Sequence, residues 1–276
     1  MRLDAHQHFW NFDDDRYGWI DESMAALRRD FGPEDLVPHL EDLALDGSIA
    51  VQARQDLDET RWLLGLAREH AHVMGVVGWV DLCAQDCERD LAELAQEPEL
   101  KGVRHVVQDE PDDEFLLRED FRRGVSRLSE HGLTYDILIH PRHLEPAARF
   151  VDHFPEQPFV LDHLAKPFIA KRELEPWARD LRALAERPNV SCKLSGMVTE
   201  AEWHRWGPDD FTPYLDTCLE AFGEDRLMFG SDWPVCLLSA DYTSMAGIVS
   251  AWAHSLTDTQ RRKLFGENAA RFYSIS

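Results

Sequence analysis

The stretch RLDAHQHFW, residues 2–10, carries three ionisable side chains at alternate positions, Asp4, His6 and His8. In an extended strand the side chains alternate between two faces, so these three are expected to point the same way. One carboxylate and two imidazoles on a common face can bind a divalent metal or exchange protons near neutral pH. The structural alternative is a pair of interior histidines satisfied by hydrogen bonds, which is costly in a dry core.

Histidine and aspartate recur near the ends of later strand-like segments, at His105, His140, Asp162, His163 and Asp232. The segment FGSDWP around Asp232 predicts a loop, because Trp-Pro follows the aspartate. Alternatives stay open for each residue. Asp232 could cap a turn or helix, His163 could bond a backbone carbonyl, and His140 could be a loop-edge residue before Pro141.

Strand-like and helix-like segments alternate at regular intervals along the chain, and these elements would position the residues named above. Short apolar segments rich in β-branched residues are interpreted as eight strands, at 2–8, 48–54, 73–79, 101–107, 134–140, 159–165, 190–196 and 227–233. Most are spaced by about 30 residues, as one βα unit requires. Helical patterns such as DETRWLLGLAREHA and ELEPWARDLRALAERP lie between them. The count predicts an α/β fold, a single (β/α)8 TIM-type barrel formed by one domain over 1–276.

A doubly wound open sheet is the alternative architecture, but no glycine-rich phosphate loop follows the first strand. In a closed barrel the carboxyl ends of all strands surround one mouth, where the chemistry is found. We therefore expect His6 and His8 to share a pocket with His163 and Asp232. The long segment between the first two strands predicts an irregular excursion over that mouth.

Composition narrows the classes of function. The formal net charge of −23 argues against general attraction to nucleic acid or to an anionic membrane. No apolar run approaches the roughly 20 residues that span a bilayer. Five cysteines without a CxxC pair predict scattered reduced thiols and hence a cytoplasmic protein. Acidic residues on helical faces neither require nor exclude a homodimer.

In this order, the residues resemble the amidohydrolase superfamily, whose barrel carries HxH after strand one and an aspartate after strand eight. The match narrows to the sugar-lactone hydrolase branch and, within it, to L-fuconolactonases, on the motifs DAHQHFW, VQARQDLDET, GVVGWVDL, GVRHVVQDE, LDHLAKP, CKLSGMVTEAEW and LMFGSDWPVCLL. Related members open L-rhamnonolactone, 2-pyrone-4,6-dicarboxylate and sulfomuconolactone. The likeness runs from residue 2 to about residue 273.

The resemblance implies a carboxylic ester hydrolase that opens a sugar-acid lactone, L-fuconolactone first and L-rhamnono- or L-galactono-type lactones next. Asp232 would activate water as a general base, while His6, His8 and His163 would hold the carbonyl oxygen as it gains charge. A divalent zinc or manganese ion, where one is bound, would be held by His6, His8 and Asp232, with His140 a weaker candidate.

The cofactor stays open at this point. Metal-dependent members often carry a lysine or glutamate after strand four, where this chain offers only His105, and the lactonase branch includes members that work without a metal. A metal-dependent amide hydrolase or decarboxylase on the same barrel is therefore the alternative function. A sugar-acid binding protein without catalysis is a third interpretation.

An aldonolactone has several hydroxyl groups and no charge, so donors near strand ends are candidates to bind it, namely Gln52, Arg54, Trp79, Arg104 and His105. Each could instead serve barrel packing or an ion pair. Lys166 in LDHLAKP and Lys193 in CKLSG lie in family motifs, yet each could simply pair with a neighbouring carboxylate. A small sugar lactone is the expected partner.

Overall fold

Eight parallel strands form one sheet in sequential order in the computed structural model, which describes residues 1–276. The strands are β1 (Leu3–Gln7), β2 (Gly47–Val51), β3 (Val73–Gly78), β4 (Leu100–His105), β5 (Thr134–Ile137), β6 (Phe159–Leu161), β7 (Val190–Leu194) and β8 (Leu227–Phe229). The loop after β8 returns to β1, where the Asp232 N–H donates to the His6 carbonyl over 2.8 Å and the His8 N–H to the Trp233 carbonyl over 2.7 Å. The predicted barrel is confirmed.

Helices follow the strands and cover the outside of the sheet. They are α1 (Pro33–Asp42), α2 (Leu57–Glu69), α3 (Cys87–Leu94), α4 (Glu119–Val125), α5 (Leu144–Val151), α6 (Trp177–Ala185), α7 (Met197–Glu200), α8 (Thr212–Phe222), α9 (Tyr242–Trp252), α10 (Asp258–Arg262) and α11 (Asn268–Phe272). Helix α2 begins where the Asp56 carboxylate accepts from the Asp58 N–H, an N-cap. None of the helices is both long and apolar enough to cross a bilayer.

Several strands end earlier than the sequence predicts. We expected strands to continue to residues 140, 165, 196 and 233, whereas β5, β6, β7 and β8 end at Ile137, Leu161, Leu194 and Phe229. After each end the chain leaves the ladder, and at His163, Gly196 and Asp232 it adopts positive φ angles. A residue with positive φ cannot continue a strand. These turns aim the polar side chains into the barrel mouth.

Apolar side chains fill two separate layers. The larger layer lies between the sheet and the helices, and includes Tyr135, Phe121, Phe150 and Phe159. The smaller one fills the amino-terminal half of the barrel and consists of Leu3, Ala5, Ile49, Val51, Val77, Val160, Met228, Ala269 and Tyr273. The last two belong to the chain's final helical segment, which therefore closes the end of the barrel opposite the predicted site.

The predicted excursion between β1 and β2 is present. It begins at Trp10, whose backbone pairs with that of Phe31, and contains a short 3-10 helix, Glu22–Leu27. Trp10 itself is fully buried, so it belongs to the core. The excursion instead brings Trp19 and Met24 to the wall of the cavity described below.

Candidate active site

Three histidines surround one carboxylate at the mouth of the barrel. The Asp232 Oδ1 atom lies 3.3 Å from Nε2 of His8 and 3.8 Å from Nε2 of both His6 and His163. All four side chains are at most 5% exposed. The structure thus brings together the four residues selected from the sequence, while their roles in catalysis stay a prediction.

A hydrogen bond to the far side of the His8 imidazole determines which of its two nitrogens carries the proton. The Nδ1 atom of His8 lies 2.7 Å from the Val51 carbonyl oxygen, which can only accept, so the proton is on Nδ1 and Nε2 offers a lone pair. The Lys193 ammonium lies 3.1 Å from Nδ1 of His6 and can only donate. Acceptor and donor groups meet both nitrogens of His6, since Asp162 Oδ1 lies 3.3 Å from Nδ1 and the Arg104 guanidinium lies 3.3 Å from Nε2, so either nitrogen of a neutral His6 can carry the proton.

Burial and the three imidazoles determine the charge state of the centre. Burial raises the pKa of Asp232, but His163, His8 and His6 outweigh this effect and hold the pKa well below its usual range. Burial lowers the pKa of His163 to about 4, against the raising effect of the nearby carboxylates. Burial likewise lowers the pKa of His6 well below its ordinary value. At neutral pH the centre therefore contains a carboxylate at Asp232 and neutral imidazoles at His6 and His163.

Asp4 does not face the site, so the expectation that it points with His6 and His8 is wrong. Its carboxylate accepts from the Ser231 N–H at 2.8 Å and from the Tyr242 hydroxyl at 2.9 Å, between β1 and the outer helix α9. The pairing register of β1 with β2 shifts between Asp4 and Gln7, which breaks the two-residue alternation. Asp4 thus joins β1 to the loop after β8 and to helix α9, where the barrel closes.

A buried charge network lies beneath His6, and the sequence analysis missed its carboxylates as a set. The Lys193 Nζ atom lies 2.5 Å from Asp136 Oδ2 and 3.0 Å from Asp162 Oδ1. Arg104 donates to Asp162 Oδ2 at 3.0 Å and its Nη1 lies 3.3 Å from Nε2 of His6. Lys193 therefore pairs with neighbouring carboxylates, which was the structural alternative given for it in the sequence analysis. Only the alternation around Asp136 in TYDILIH could have indicated an inward polar residue.

His163 lies on an unusual left-handed turn. Residues 163–166 all have φ angles between 52° and 58°, although none is glycine. Each such residue costs about 1–2 kcal/mol relative to the right-handed form, and strain of this kind clusters at functional sites. The Ser195 hydroxyl lies 2.9 Å from Nδ1 of His163. At the adjacent Gly196, a β-carbon would lie only 2.5 Å from that same nitrogen, so the imidazole needs a glycine there.

A cavity of about 700 Å³ opens above the centre. Among the candidate residues, its wall includes His8, Arg54, Arg104, His163 and Asp232. Arg54 is held by the carboxylates of Asp56 and Glu59. The volume lies in the range of sites for small organic molecules.

Five candidates lie outside the cavity wall, namely His6, which is fully buried, and four others. Gln52 is buried behind Arg104, which donates to its side-chain oxygen over 3.3 Å. Nε2 of His105 lies 2.7 Å from Glu110 Oε1. The Trp79 indole N–H donates to Nδ1 of His105 over 3.4 Å, so Trp79 and His105 are hydrogen-bonded to each other. His140 is half-buried and belongs to neither cluster of side chains that could hold a metal. The geometry gives these residues supporting positions rather than substrate contacts.

The cavity wall also contains residues that the sequence analysis did not select, namely Arg16, Trp19, Gln108, Glu200 and Trp203. Trp19 and Trp203 are 38% and 37% exposed, which is high for tryptophan. They come from loops and a short turn, where spacing carries little information. Glu200 and Trp203 lie within the motif CKLSGMVTEAEW and Gln108 within GVRHVVQDE, but no spacing of residue types singles them out there.

Comparison with known proteins agrees with this geometry. The sequence model of the amidohydrolase family matches residues 3–275. The chain belongs to the amidohydrolase family. The match covers nearly the whole chain, so all eight strands and every site residue described above lie within the family's characteristic region.

Individual family members are similar over their full length. The chain is 43% identical to an L-fucono-1,5-lactonase of Burkholderia multivorans over 286 residues, covering 100% of this chain and 96% of that protein. An L-fucono-1,5-lactonase of Burkholderia ambifaria is 38% identical, with 100% and 96% covered. A crystal structure of an amidohydrolase from B. multivorans with bound zinc is 44% identical, covers both chains completely and has a TM-score of 0.95. The resemblance stated from the motifs is confirmed.

Proposed function

We propose that the protein is a lactonase that opens L-fucono-1,5-lactone, or a closely related aldonolactone, to the free sugar acid. The observation that carries the proposal is the single carboxylate, Asp232, held within 3.3–3.8 Å of three imidazoles under an open cavity. Full-length similarity to two L-fucono-1,5-lactonases supports the substrate class.

The centre can supply both a proton acceptor and hydrogen-bond donors. A water molecule beside Asp232 Oδ1 and His8 Nε2 meets two acceptors and can lose a proton as it attacks the ester carbon. A carboxylate with a strongly lowered pKa is a weak base, so proton loss accompanies attack rather than preceding it. The imidazole of His163 lines the cavity with its Nε2 atom 3.8 Å from Asp232, and it can donate a hydrogen bond to the carbonyl oxygen as negative charge develops, a contribution commonly of about 3–4 kcal/mol.

The cavity wall fits a neutral polyhydroxyl compound. Arg54 and Arg104 offer guanidinium donors whose charge is already balanced by Glu59 and Asp162. Trp19 and Trp203 offer apolar indole faces against which a deoxy sugar ring can pack. A wall of balanced donors and aromatic faces suits an uncharged lactone better than a multiply charged substrate.

The donor set also fits a divalent metal. The relevant atoms of His6, His8 and Asp232 all lie within 4.8 Å of one another. Two of the separations, 3.2 and 3.3 Å, are close to the roughly 3.3–3.6 Å between ligands of a tetrahedral zinc ion. These three residues would hold the ion, which would polarise the carbonyl or acidify water. Arg104 and Lys193 both contact His6, however, and fixed cations so close weaken binding of another cation.

The function is tested with a panel of L-fucono-, L-rhamnono- and L-galactonolactones, following acid release by a pH indicator. We expect turnover of at least one, and a loss of about 10²–10⁴-fold in kcat in Asp232→Asn, which removes the proton acceptor. Asp225→Asn, at an exposed aspartate that pairs with Lys263, is the matched control. Wild-type activity on every lactone equal to that of the Asp232→Asn protein would reject the proposal.

The need for a metal is tested separately by chelation. Because the site already holds two cations, we expect protein freed of metal to keep lactonase activity within about threefold. Metal content is measured by mass spectrometry on the same samples. Complete loss of activity, restored by zinc or manganese, would instead support the metal-dependent alternative.

A further inference from the structure

The two lysines near the site are held in opposite ways. Lys193 is completely buried and its ammonium is saturated by Asp136, Asp162 and His6. Lys166 is 19% exposed, yet its ammonium makes no hydrogen bond within the protein. Its nearest carboxylate oxygen is Glu200 Oε1, at 3.9 Å. An enclosed ammonium whose N–H donors have no protein acceptor is available to a ligand.

The backbone places Lys166 in the cavity together with the catalytic candidates. Lys166 is the last residue of the left-handed turn that begins at His163, and its N–H donates to the His163 carbonyl over 2.7 Å. Both side chains line the cavity, as do Asp232 and Glu200. The strained turn thus delivers two functional groups, not one. In an extended continuation the two side chains, three residues apart, would point to opposite faces.

Glu200 fits the position of a group that holds this ammonium. It ends helix α7, is largely buried, and lines the cavity beside Lys166. At 3.9 Å the carboxylate balances the charge without occupying a hydrogen-bond position. Burial raises the pKa of Glu200, while Lys166 lowers it.

We propose that Lys166 is the general acid that protonates the departing ring oxygen of the lactone, with Glu200 as the positioning residue that holds its ammonium in the cavity. This inference rests on the proposed lactonase function and deepens it. The acceptor, Asp232, follows β8 and the donor, Lys166, follows β6, and both line one cavity. Ring opening needs both, because the leaving group is a strongly basic alkoxide.

The bonds and protons of the proposed ring opening balance. Water adds to the ester carbon and gives one proton to Asp232. The bond between the carbonyl carbon and the ring oxygen then breaks, its electron pair remains on the oxygen, and that oxygen takes a proton from Lys166. The neutral amine regains a proton from the protonated Asp232 or from solvent. One water is consumed and no oxidant or further reactant is required.

Two substitutions separate proton transfer from electrostatic or structural roles. Lys166→Met removes both charge and proton, and we expect a loss of about 10²–10⁴-fold in kcat with KM changed less than about threefold. Lys166→Arg keeps the positive charge beside Glu200, but an arginine does not release its proton in proteins. It is therefore expected to be as slow as Lys166→Met. The matched control is Lys171→Met, at an exposed lysine of the same loop that lies over Phe168.

The outcomes are distinct. Wild-type turnover of a lactone together with slow Met and Arg variants supports the inference. Recovery of kcat in Lys166→Arg, or a Lys166→Met variant that changes KM alone, overturns it. Should Lys166→Met fail to fold, by circular dichroism and melting temperature, the Arg variant decides. Absence of lactone turnover by the wild-type protein is a failure of the proposed function and not of the lysine assignment.

Discussion

His6 is in contact with both the buried network and the reaction space. Its Nδ1 atom faces Lys193 and Asp162, and its Nε2 atom faces His8 and Asp232. A neutral imidazole has one donor and one acceptor, so the group bonded to one nitrogen decides what the other presents. The buried network of Lys193, Asp162 and Arg104 therefore reaches the reaction space through this imidazole.

At this scale we predict the effect of removing that lysine. Lys193→Met leaves the Asp136 carboxylate buried without a cation and Asp162 with Arg104 alone, so we expect a loss of about 3–5 kcal/mol in the free energy of unfolding. Urea denaturation followed by circular dichroism measures it. Lys171→Met, at an exposed lysine, should be near neutral. Adding Asp136→Asn to Lys193→Met should recover part of the loss, and an undiminished loss would contradict the pairing.

Two short elements with irregular backbones orient the site. The register shift in β1 turns Asp4 outward and leaves His6 and His8 facing inward. The left-handed turn at 163–166 directs the side chains of His163 and Lys166 into the cavity. Such backbone conformations persist only when surrounding contacts hold them. Here the glycine at 196 leaves room for the imidazole that the turn presents.

The prediction at this scale concerns Gly196. Gly196→Ala adds a β-carbon that would lie 2.5 Å from the His163 ring and also strains a φ of 61°. We expect lactonase kcat to fall at least about tenfold as the imidazole is displaced. Gly132→Ala is a matched control, because Gly132 has the same left-handed conformation, φ 68° and ψ 21°, with open space around it. Equal activity losses in the two variants would mean that backbone strain alone, and not the clash, is responsible.

At the scale of the whole molecule, the barrel is closed at both ends by segments far apart in the chain. The loop after β8 pairs with β1 at the mouth, and the final residues pack into the opposite end. The Tyr273 hydroxyl donates to Asp136 Oδ2 over 2.8 Å, which joins the chain's last turn to the network under the site. Stability and site geometry are therefore coupled through the barrel interior.

Tyr273→Phe tests this coupling. It removes one donor to a buried carboxylate, so we expect a loss of about 1.5–3 kcal/mol in unfolding free energy, measured by urea denaturation. Tyr214→Phe is a suitable control, because its hydroxyl makes only a long contact of 3.4 Å to the Glu173 carbonyl. Unchanged stability of the Tyr273→Phe protein would show that the C-terminal segment does not stabilise the network.

Sequence alone determined the eight-stranded barrel, the centre made of Asp232 and three histidines, and, through the resemblance of its motifs, the family. These depend on local information: alternation and β-branched runs set strands, about 30-residue spacing sets the βα unit, and the carboxyl ends of parallel strands must share one mouth. The same rules explain the errors. The expectation for Asp4 assumed strict alternation, which the register shift in β1 breaks. The assignment of His105 to substrate binding did not take into account that its imidazole bonds Glu110, a contact that the sequence does not reveal.

Tertiary structure alone decided which polar groups are saturated and which are free. Lys193 and Lys166 look alike in the sequence, yet one meets Asp136, 57 residues away, and the other emerges from a left-handed turn of non-glycine residues. Neither pairing across a closed barrel nor a left-handed turn held by its surroundings is specified by neighbouring residues. Trp19 and Trp203 reach the cavity for the same reason, since barrel closure sets where their segments lie.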